Sequence, residues 1–455
     1  MNGTTPSLLS PHPPGFRARR GLNWTALGLM YASYYLCRYN FRWASPDIRD
    51  QYHLDYSQIT SITGYWAWAY GIGQWINGLL ADRMGGKKAM LIGAVGTIVA
   101  NVAFGAVSTA GNLAIFTWIW AANGYIQSFG APGMIKINAA WFSRVERGTF
   151  SGIFGFMIQL GQVAINRLAP ALLAGFTIGL WVVPPLHWKW LFWVPPMFVG
   201  VFAVFLVFFV KETPEQAGFP GAAVSEKEAG ESDVRAHIGE SLVTILRHPL
   251  VWFYALAYFC TGAVRHGSDQ LAVLYFVDEL KLRRDDPAMV HTLELMPVVA
   301  IIGSIAAGFL SDKVFKGHRA PVAMSLYLLE SVVILTAVLL IEGIGVKSVS
   351  WSCLFLVLIS LTANSTHSIV GSAAPMDIGG RRMSGFAGGV IDSFQYFGSA
   401  IAVPLMGKLL DKYGWGTWFP TMAGFGLIGG FAMWLVIRKQ RLLARQARAV
   451  MTSLP

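Results

Sequence analysis

Apolar runs separated by short polar clusters dominate this chain and limit what it can fold into. Only 13% of its 455 residues are charged, whereas 54% are hydrophobic. Soluble domains carry about 25% charged residues. The apolar runs reach about 20 residues or more, which is the length an α-helix needs to cross a bilayer. A membrane β-barrel would instead show alternating segments of about ten residues. We therefore predict an all-α membrane protein.

The apolar runs fall into two groups of six around the longest polar stretch. We predict twelve transmembrane helices, at about 22–43, 58–80, 89–108, 111–140, 148–176, 190–210, 248–277, 289–311, 320–343, 349–376, 382–409 and 415–437. The predicted domains are a cytoplasmic N-tail (1–21), an N-terminal six-helix bundle (22–210), a cytoplasmic linker (211–247), a C-terminal six-helix bundle (248–437) and a basic cytoplasmic tail (438–455).

The distribution of positive charge predicts the orientation. Most of the 35 Lys and Arg residues fall in the tails, the linker and the loops that twelve spans place on one side of the membrane. Lys and Arg are enriched on the cytoplasmic side of membrane proteins. We therefore expect a multi-pass protein of the cell (inner or plasma) membrane with both termini cytoplasmic. The same bias explains the net charge of +11 without a nucleic-acid partner.

The sequence has no pattern typical of catalysis or of a cofactor. Its three cysteines, Cys37, Cys260 and Cys353, all lie in apolar runs and form neither a metal-binding spacing nor a disulfide framework. It contains no nucleophile–base arrangement and no G-x-x-x-x-G-K-[ST] loop that would hold ATP. We expect a protein that is not an enzyme, that needs no metal or cofactor, and that functions as a monomer in the lipid bilayer.

An internal repeat relates the two halves and places one arginine in each. The segment GLLADRMGGKK (78–88) follows the second span, and GFLSDKVFKGHR (308–319) follows the eighth. Arg38 in span 1 and Arg265 in span 7 lie about half a chain apart. Parallel repeats place equivalent residues on either side of a central site near the membrane midplane. The planar guanidinium group suits two-point binding of phosphate or carboxylate, so the pair predicts a site for a small anion.

Other polar residues share helix faces with this pair. Tyr31 and Tyr35 lie on the same face of span 1 as Arg38, because their spacing is helical. Tyr70 and Gln74 form a similar stripe in span 2. Gln159 and Asp392 belong to polar stripes in spans 5 and 11. These side chains could bind substrate or hold helices together, since aromatic and polar residues also pack between membrane helices.

Two carboxylates and a histidine leave further alternatives open. Asp392, and Asp269 one turn after Arg265, could each pair with an arginine or carry a proton. His266 adjoins Arg265 but points about 100° away around the helix, so we predict that it lies outside the pocket.

The charged residues of the repeated segments are predicted to act as a gate. Asp82, Arg83 and Lys88 follow span 2, while Asp312 and Lys313 follow span 8. At the cytoplasmic ends of the spans they would form ion pairs in one conformation and break them in another. They would not contact the substrate.

The motif G-x-L-x-D-R-x-G-x-K-K at 78–88 and its weaker copy resemble the major facilitator superfamily. Further blocks resemble its organophosphate:phosphate antiporter family, which includes the glycerol-3-phosphate and hexose-6-phosphate transporters. The blocks are YASYYLCRYN (31–40), AYGIGQWINGLLADR (69–83), NGYIQSFGAPGMIK (123–136), SDKVFKG (311–317) and GRRMSGFAGG (380–389).

This resemblance implies two six-helix bundles that alternate access around one central site. It implies exchange of a phosphorylated metabolite for phosphate. The family's paired arginines fall on Arg38 and Arg265, and its tyrosines on Tyr31, Tyr35 and Tyr70.

Two departures from the family pattern keep other functions open. Gln74 stands where glycerol-phosphate members carry lysine, and Ile158 stands where they carry histidine. A glutamine at position 74 also resembles the anion:cation symporter family, so the alternative is a proton-coupled organic-acid symporter. Some relatives sense sugar phosphates instead of transporting them, which leaves a sensor as a third possibility.

Overall fold

The structure is a computed structural model of the chain. It describes residues 13–142, 147–220, 247, 249–315, 318–343 and 348–452. Within these, side chains are not described at 147–154, 312, 342–343, 372–389, 444 and 447–452. Most of the predicted linker, from 221 to 246, lies outside the described residues.

The described residues form long helices and one short hairpin. The helices are α1 (Phe16–Tyr52), α2 (Tyr56–Met84), α3 (Gly86–Ala106), α4 (Leu113–Gln127), α5 (Gly130–Trp141), α6 (Arg147–Ala174), α7 (Val194–Phe209), α8 (Pro249–Leu274), α9 (Pro287–Phe309), α10 (Arg319–Ala337), α11 (Val349–Tyr413) and α12 (Trp418–Thr452). The antiparallel strands β1 (Phe176–Ile178) and β2 (Trp181–Val183) form the hairpin.

The helices correspond to the predicted spans with two differences. The fourth span is divided into α4 and α5 at Ser128–Phe129. Spans 10 and 11 belong to one continuous helix, α11. The side chains of His367 and Asp392 on α11 both reach the Tyr258 hydroxyl, at 2.8 and 3.4 Å. A straight helix would separate two residues so far apart in sequence by about 37 Å, so the two ends of α11 lie side by side as separate spans.

Side-chain burial places the helices relative to the bilayer. Six helical segments of the described chain are long and apolar enough to cross a membrane by length and composition. Large apolar side chains remain exposed on α3, α7, α9 and α10, for example Val99, Phe208, Ile305 and Val332. Apolar faces of this extent suit a lipid environment better than water. The predicted all-α membrane fold with two six-helix bundles is therefore confirmed.

Two helices are buried on all sides and form the centre of the molecule. Every residue from Met30 to Pro46 of α1 is buried, and so is every residue from Cys260 to Leu274 of α8. Both stretches carry arginines. Charges on these two helices face neighbouring helices rather than lipid, which is where intramembrane charge is found in functional sites.

Glycine contacts repeated in the two halves hold these central helices close to their neighbours. A Cβ on Gly161 of α6 would clash with the carbonyl of Ala32 on α1. In the other half, a Cβ on Gly398 of α11 would clash with the carbonyl of Phe259 on α8. Small residues allow membrane helices to approach this closely. The two contacts occupy equivalent places in the sequence repeat, so both halves use the same packing around their arginine helix.

Helical structure extends into both predicted tails. The helix α1 begins at Phe16, inside the predicted N-tail, because the Phe16 ring is buried and stacks on Trp141 at 5.8 Å. The Arg20 guanidinium lies 4.7 Å from the Phe142 ring. At the other end, α12 continues through most of the predicted basic tail to Thr452. The predicted domain boundaries themselves stay a prediction.

Candidate functional site

Arg38 lies at the middle of α1 in an aromatic cage. Its side chain is only 4% exposed, and its Cζ lies 4.5 Å from the ring centres of Tyr35 and Tyr70 and 5.0 Å from that of Trp66. Its Nε donates to Oε1 of Gln127 on α4 at 3.1 Å. Aromatic faces stabilise a desolvated cation, but they leave its charge uncompensated.

Arg265 is held in an equivalent way in the second half. It is 7% exposed, and its Nε donates to Oδ1 of Asn364 on α11 at 3.0 Å. Its Nη1 donates to Oε1 of Gln395 at 3.3 Å. The described residues show no ion pair between either arginine and a carboxylate. Each arginine is thus positioned by a neutral amide, Gln127 in span 4 and Asn364 in the matching span 10 of the second half. Because the amides are neutral, both arginines keep their full charge.

Tyrosines connect the surroundings of the two arginines. The Tyr35 ring lies against the Arg38 guanidinium and stacks on the Tyr39 ring at 5.8 Å. The Tyr39 hydroxyl donates to Asp269, one turn after Arg265 on α8. The ring of Tyr35 contacts that of Tyr31 at 5.8 Å. The ring of Tyr70 lies 4.3 Å from that of Tyr396 on α11, in the other half. These aromatic contacts cross the interface between the halves, so the predicted residues Tyr31, Tyr35 and Tyr70 line one region with the arginines.

Several polar atoms in this region are buried and have no hydrogen-bond partner among the described residues. They are Arg38 Nη2, Tyr70 Oη and His266 Nε2. The predicted site residue Gln159, on α6, also has a buried amide oxygen without a partner among the described residues. Buried polar groups are nearly always satisfied, and a buried unpaired donor costs about 1–3 kcal/mol. Such a cluster, with a cation in it, has the chemistry of an anion-binding site.

His266 is closer to this region than the sequence predicted. Its ring lies 5.6 Å from that of Tyr396, which packs on Tyr70 beneath Arg38. This contact does not define the lining of a pocket, so the placement of His266 outside it stays a prediction. Every side of this part of α8 faces protein. The direction in which His266 points around the helix axis therefore does not show which neighbours it contacts.

Asp392 joins the halves through glutamine rather than through arginine. Its carboxylate accepts hydrogen bonds from Gln74 Nε2 at 3.1 Å, Gln395 Nε2 at 2.5 Å and the Tyr258 hydroxyl at 3.4 Å. A direct pair with an arginine, one of the two alternatives for Asp392, is absent from the described ion pairs. Gln395 lies between the two charges, since its amide oxygen accepts from Arg265 and its amide nitrogen donates to Asp392. Gln74 thus contacts a carboxylate of the opposite half.

A third buried arginine was not predicted. Arg42 of α1 donates from Nη2 to Oδ1 of Asn166 at 2.6 Å and from Nη1 to the backbone carbonyl of Asp269 at 2.9 Å. The Asp269 carboxylate accepts from the Tyr39 hydroxyl at 3.2 Å, and no ion pair joins it to Arg265 among the described residues. Arg42 lies one turn after Arg38 on the same helix, and this spacing was the signal that could have found it.

Ion pairs between the halves close one end of the interface. We call it the distal end, because it lies opposite the chain termini. Arg49 pairs with Asp278 and Asp47 with Arg284, both at 2.8 Å. A further pair between the halves lies nearby, between Arg167 on α6 and Glu294 on α9.

Helix capping adds to this closure. The Asp411 carboxylate at the distal end of α11 accepts from the backbone N–H groups of Tyr56 and Ser57 at 2.7 and 2.8 Å. These groups begin α2 in the other half. An acidic group at a helix N-terminus is favourable, so this contact also holds the halves together at the distal end.

The residues predicted to form a gate lie at the opposite end. Asp82, Arg83, Lys88 and Lys313 form no ion pair among the described residues, and the side chain of Asp312 is not described. The backbone carbonyls of Ala81 and Asp82 instead accept hydrogen bonds from the Lys136 ammonium. Their gating role stays a prediction, and the ion pairs between halves that the structure describes were not predicted.

Comparison with known proteins identifies the family of the chain. The family model described as Major Facilitator Superfamily matches residues 27–403. The chain is 25% identical to the probable hexose phosphate transport protein of Chlamydia trachomatis, over 88% of this chain and 87% of that protein. It is 26% identical to the membrane sensor protein UhpC of Salmonella typhimurium, over 87% and 86% of the two chains.

A solved structure supports the fold. The bacterial homolog of the human lysosomal transporter Spinster, in its inward-facing and unoccupied conformation, superposes with a TM-score of 0.71 at 14% identity, covering 94% of this chain and 98% of that one. The predicted resemblance and the expectation of a protein that is not an enzyme are confirmed. Since the family model covers most of the sequence, the chain is a multi-pass membrane protein that belongs to the Major Facilitator Superfamily.

Proposed function

We propose that this protein is a secondary transporter that moves a phosphorylated small metabolite in exchange for inorganic phosphate. The observation that carries the proposal is the pair Arg38 and Arg265. Each is anchored through Nε by a neutral amide, which fixes the guanidinium group and leaves N–H groups of it for a ligand. A dianion between the two would offset the cost of burying two positive charges.

The chemistry of the surrounding residues favours phosphate. The guanidinium fork matches phosphate oxygens in a two-point contact. The Tyr70 hydroxyl, which has no partner among the described residues, would donate to a third oxygen. Tyr31, Tyr35 and Gln159 would contact the organic part of the substrate. The hydrogen bond between Gln74 and Asp392 joins the two halves, and substrate binding would change this contact. The similarity to a hexose phosphate transport protein supports the same substrate class.

The distal ion pairs support alternating access. With both termini cytoplasmic, the distal end faces outward, and the pairs of Asp47 and Arg49 close that side. Breaking them while the charged residues at the other end come together would expose the site outward. Asp82, Arg83, Lys88, Asp312 and Lys313 are the proposed partners there. One chain contains the whole site, so a monomer in the bilayer suffices, without nucleic acid.

Counterflow in proteoliposomes tests this function. Vesicles loaded with unlabelled phosphate should take up labelled phosphate, and uptake should be inhibited by one member of a panel of sugar phosphates, glycerol phosphate and phosphoglycerates. Arg38→Lys and Arg265→Lys keep the charge but lose the fork, and each should lower counterflow about 10- to 100-fold, since a charged hydrogen bond contributes about 1.5–3 kcal/mol. Arg283→Lys is the matched control, because Arg283 is exposed and pairs within its own loop.

Other outcomes identify the alternatives. Uptake that ignores internal phosphate but follows an inward proton gradient would indicate a proton-coupled organic-acid symporter and would overturn phosphate exchange. Binding without flux would indicate a sensor, a function that the similarity to a membrane sensor protein makes a specific alternative.

A further inference from the structure

A carboxylate outside the anion site is buried in the second bundle. Glu330 lies on α10 and is 0% exposed. Its Oε2 lies 3.1 Å from the Thr366 hydroxyl on α11, and its Oε1 is buried without a hydrogen-bond partner among the described residues. No described cation forms an ion pair with it. An unpaired carboxylate charge in such a place is expensive.

The groups that face Glu330 offer no compensating charge. The titratable groups near it are the Cys260 thiol on α8 and the Tyr327 hydroxyl on α10 itself. Tyr327 donates to the Ala257 carbonyl at 2.5 Å. On α12, a Cβ added to Gly426 would lie 3.8 Å from Oε1, so a residue without a side chain faces the carboxylate there. These neighbours are neutral, so they favour the neutral acid over the carboxylate.

The hydrogen-bond geometry at Thr366 favours the same conclusion. Its Oγ1 lies 2.8 Å from the Ala363 carbonyl and 3.1 Å from Glu330 Oε2. A hydroxyl has one hydrogen and two lone pairs, so it cannot fully serve two acceptors. If Glu330 is protonated on Oε2, it donates to Oγ1 while Oγ1 donates to Ala363, and both bonds are complete.

The position of Thr366 connects Glu330 to the anion site. Asn364, which holds Arg265 Nε, lies two residues before Thr366 on α11. Thr261, one turn before Arg265 on α8, bonds to the Tyr327 hydroxyl at 2.5 Å, one turn before Glu330 on α10. The contacts of Glu330 and of Arg265 therefore share the same three helices, α8, α10 and α11.

We propose that Glu330 is a proton-binding site that is linked to anion binding at Arg265. With its proton bound, Glu330 joins α10 to α11 and so fixes Asn364 and Arg265 in place. Loss of the proton leaves Glu330 as an acceptor only, so the Thr366 hydroxyl must turn its one hydrogen from the Ala363 carbonyl to the carboxylate. The buried charge and the lost bond to Ala363 then loosen this packing. The proton is taken from water when the bundle opens and is returned to water when it reopens, so no other reactant is needed. The link to transport rests on the proposed function, whereas the proton site does not.

Infrared spectroscopy of the purified protein tests the proton site directly. The parent should show a carbonyl band of a protonated carboxyl group that shifts in D₂O and is absent from Glu330→Gln. The band should disappear reversibly on alkaline titration. The matched control is Glu215→Gln, an exposed glutamate whose removal should leave the band unchanged. A band that persists at every pH would reveal a permanent structural hydrogen bond and would overturn the proposal, as would a parent without any band lost in the variant.

Phosphate counterflow with equal pH on both sides tests the link. The parent rate should fall about tenfold for each pH unit beyond the midpoint of the infrared titration, since one unit is a tenfold change in the ionised ratio. Glu330→Gln, whose amide can still donate to Thr366, should lack this fall. Titration of phosphate itself is common to both proteins and cancels in their ratio.

Two further outcomes have definite meanings. Equal pH profiles in parent and variant would overturn the link. If neither protein exchanges phosphate, the proposed function fails while the infrared result still decides the proton site. If Glu330→Gln does not fold, Glu330→Asp takes its place: the shorter acid should shift the midpoint of both the band and the phosphate counterflow, and two unshifted midpoints would overturn the proposal.

Discussion

Arg38 and Arg265 are held in the same way, each through its Nε by the amide oxygen of a repeat-equivalent helix, Gln127 at 3.1 Å and Asn364 at 3.0 Å. A neutral acceptor fixes the direction of a guanidinium group without cancelling its charge. A carboxylate at the position of Gln127 or Asn364 would pair with the arginine and so compete with an anionic substrate. The repeat therefore preserves two oriented, uncompensated cations that face the interface between the halves.

Replacing the neutral anchor by a charged one should abolish substrate binding while keeping the shape. Gln127→Glu and Asn364→Asp introduce carboxylates that pair with Arg38 and Arg265. We expect phosphate counterflow to fall at least about tenfold in each, since a charge-assisted hydrogen bond is about twice as strong as a neutral one. Gln216→Glu, at an exposed position, is the control. Unchanged counterflow in both anchor variants would show that the arginines do not need free charge.

Removing the Tyr70 hydroxyl should affect binding and not folding. The Tyr70 Oη is buried without a partner among the described residues, so Tyr70→Phe removes no contact within that part of the protein. We expect KM for phosphate to rise about 5- to 10-fold, as for loss of one hydrogen bond, with an unchanged melting temperature. Tyr34→Phe is the opposite case, because the Tyr34 hydroxyl donates to the Met90 carbonyl at 2.5 Å. It should lower the melting temperature and leave KM unchanged; a reversed pattern would contradict the site.

Helix packing around Arg265 should be intolerant of a single methyl group. Gly398→Ala places a Cβ against the backbone of Phe259, which cannot move aside as a flexible side chain can. Overpacking of this kind costs about 1–3 kcal/mol or more, so we expect a clear loss of thermal stability in detergent. Gly424→Ala, with no atom within 4 Å of the added Cβ, should be neutral. Equal stability of the two variants would show that α8 and α11 are not packed this closely.

The distal ion pairs should control access to the site from that end. Arg284→Gln breaks the pair with Asp47 that joins the halves. We expect a cysteine introduced at Ala44, which is buried near this end of α1, to react about 5- to 10-fold faster with an impermeant maleimide. Arg283→Gln removes a neighbouring pair that stays within one loop and should have no effect. The exchange Asp47→Arg with Arg284→Asp should restore the slow rate. Fast labelling in the exchanged protein would count against an ion-pair gate.

The sequence predicted the membrane fold and the central arginines because both are expressed in local patterns. Apolar length predicts a span, and the repeat relates Arg38 to Arg265. The same repeat could have identified Gln127 and Asn364, which lie in the equivalent spans 4 and 10. A single polar residue in an apolar helix, however, carries no sign of which helix it faces.

Other features depend on packing that only the tertiary structure supplies. Glu330 and His266 could not be interpreted, because their meaning comes from the absence or presence of partners on other helices. The two alternatives for Asp392 could not be separated for a related reason: Gln395 lies between its carboxylate and Arg265, and the sequence does not show this. The distal ion pairs join loops and helix ends that are far apart in sequence, so no periodicity reports them.

A double-mutant cycle of phosphate affinity tests most directly whether one anion binds both arginines. The dissociation constant would be measured by calorimetry for the parent, Arg38→Lys, Arg265→Lys and the double variant. A shared anion predicts that each single change weakens binding about 10-fold or more and that the double variant is weaker than either but less than additive, because residues that contact one ligand are coupled. Strictly additive effects, or a single variant that binds phosphate as tightly as the parent, would contradict a site built from both halves.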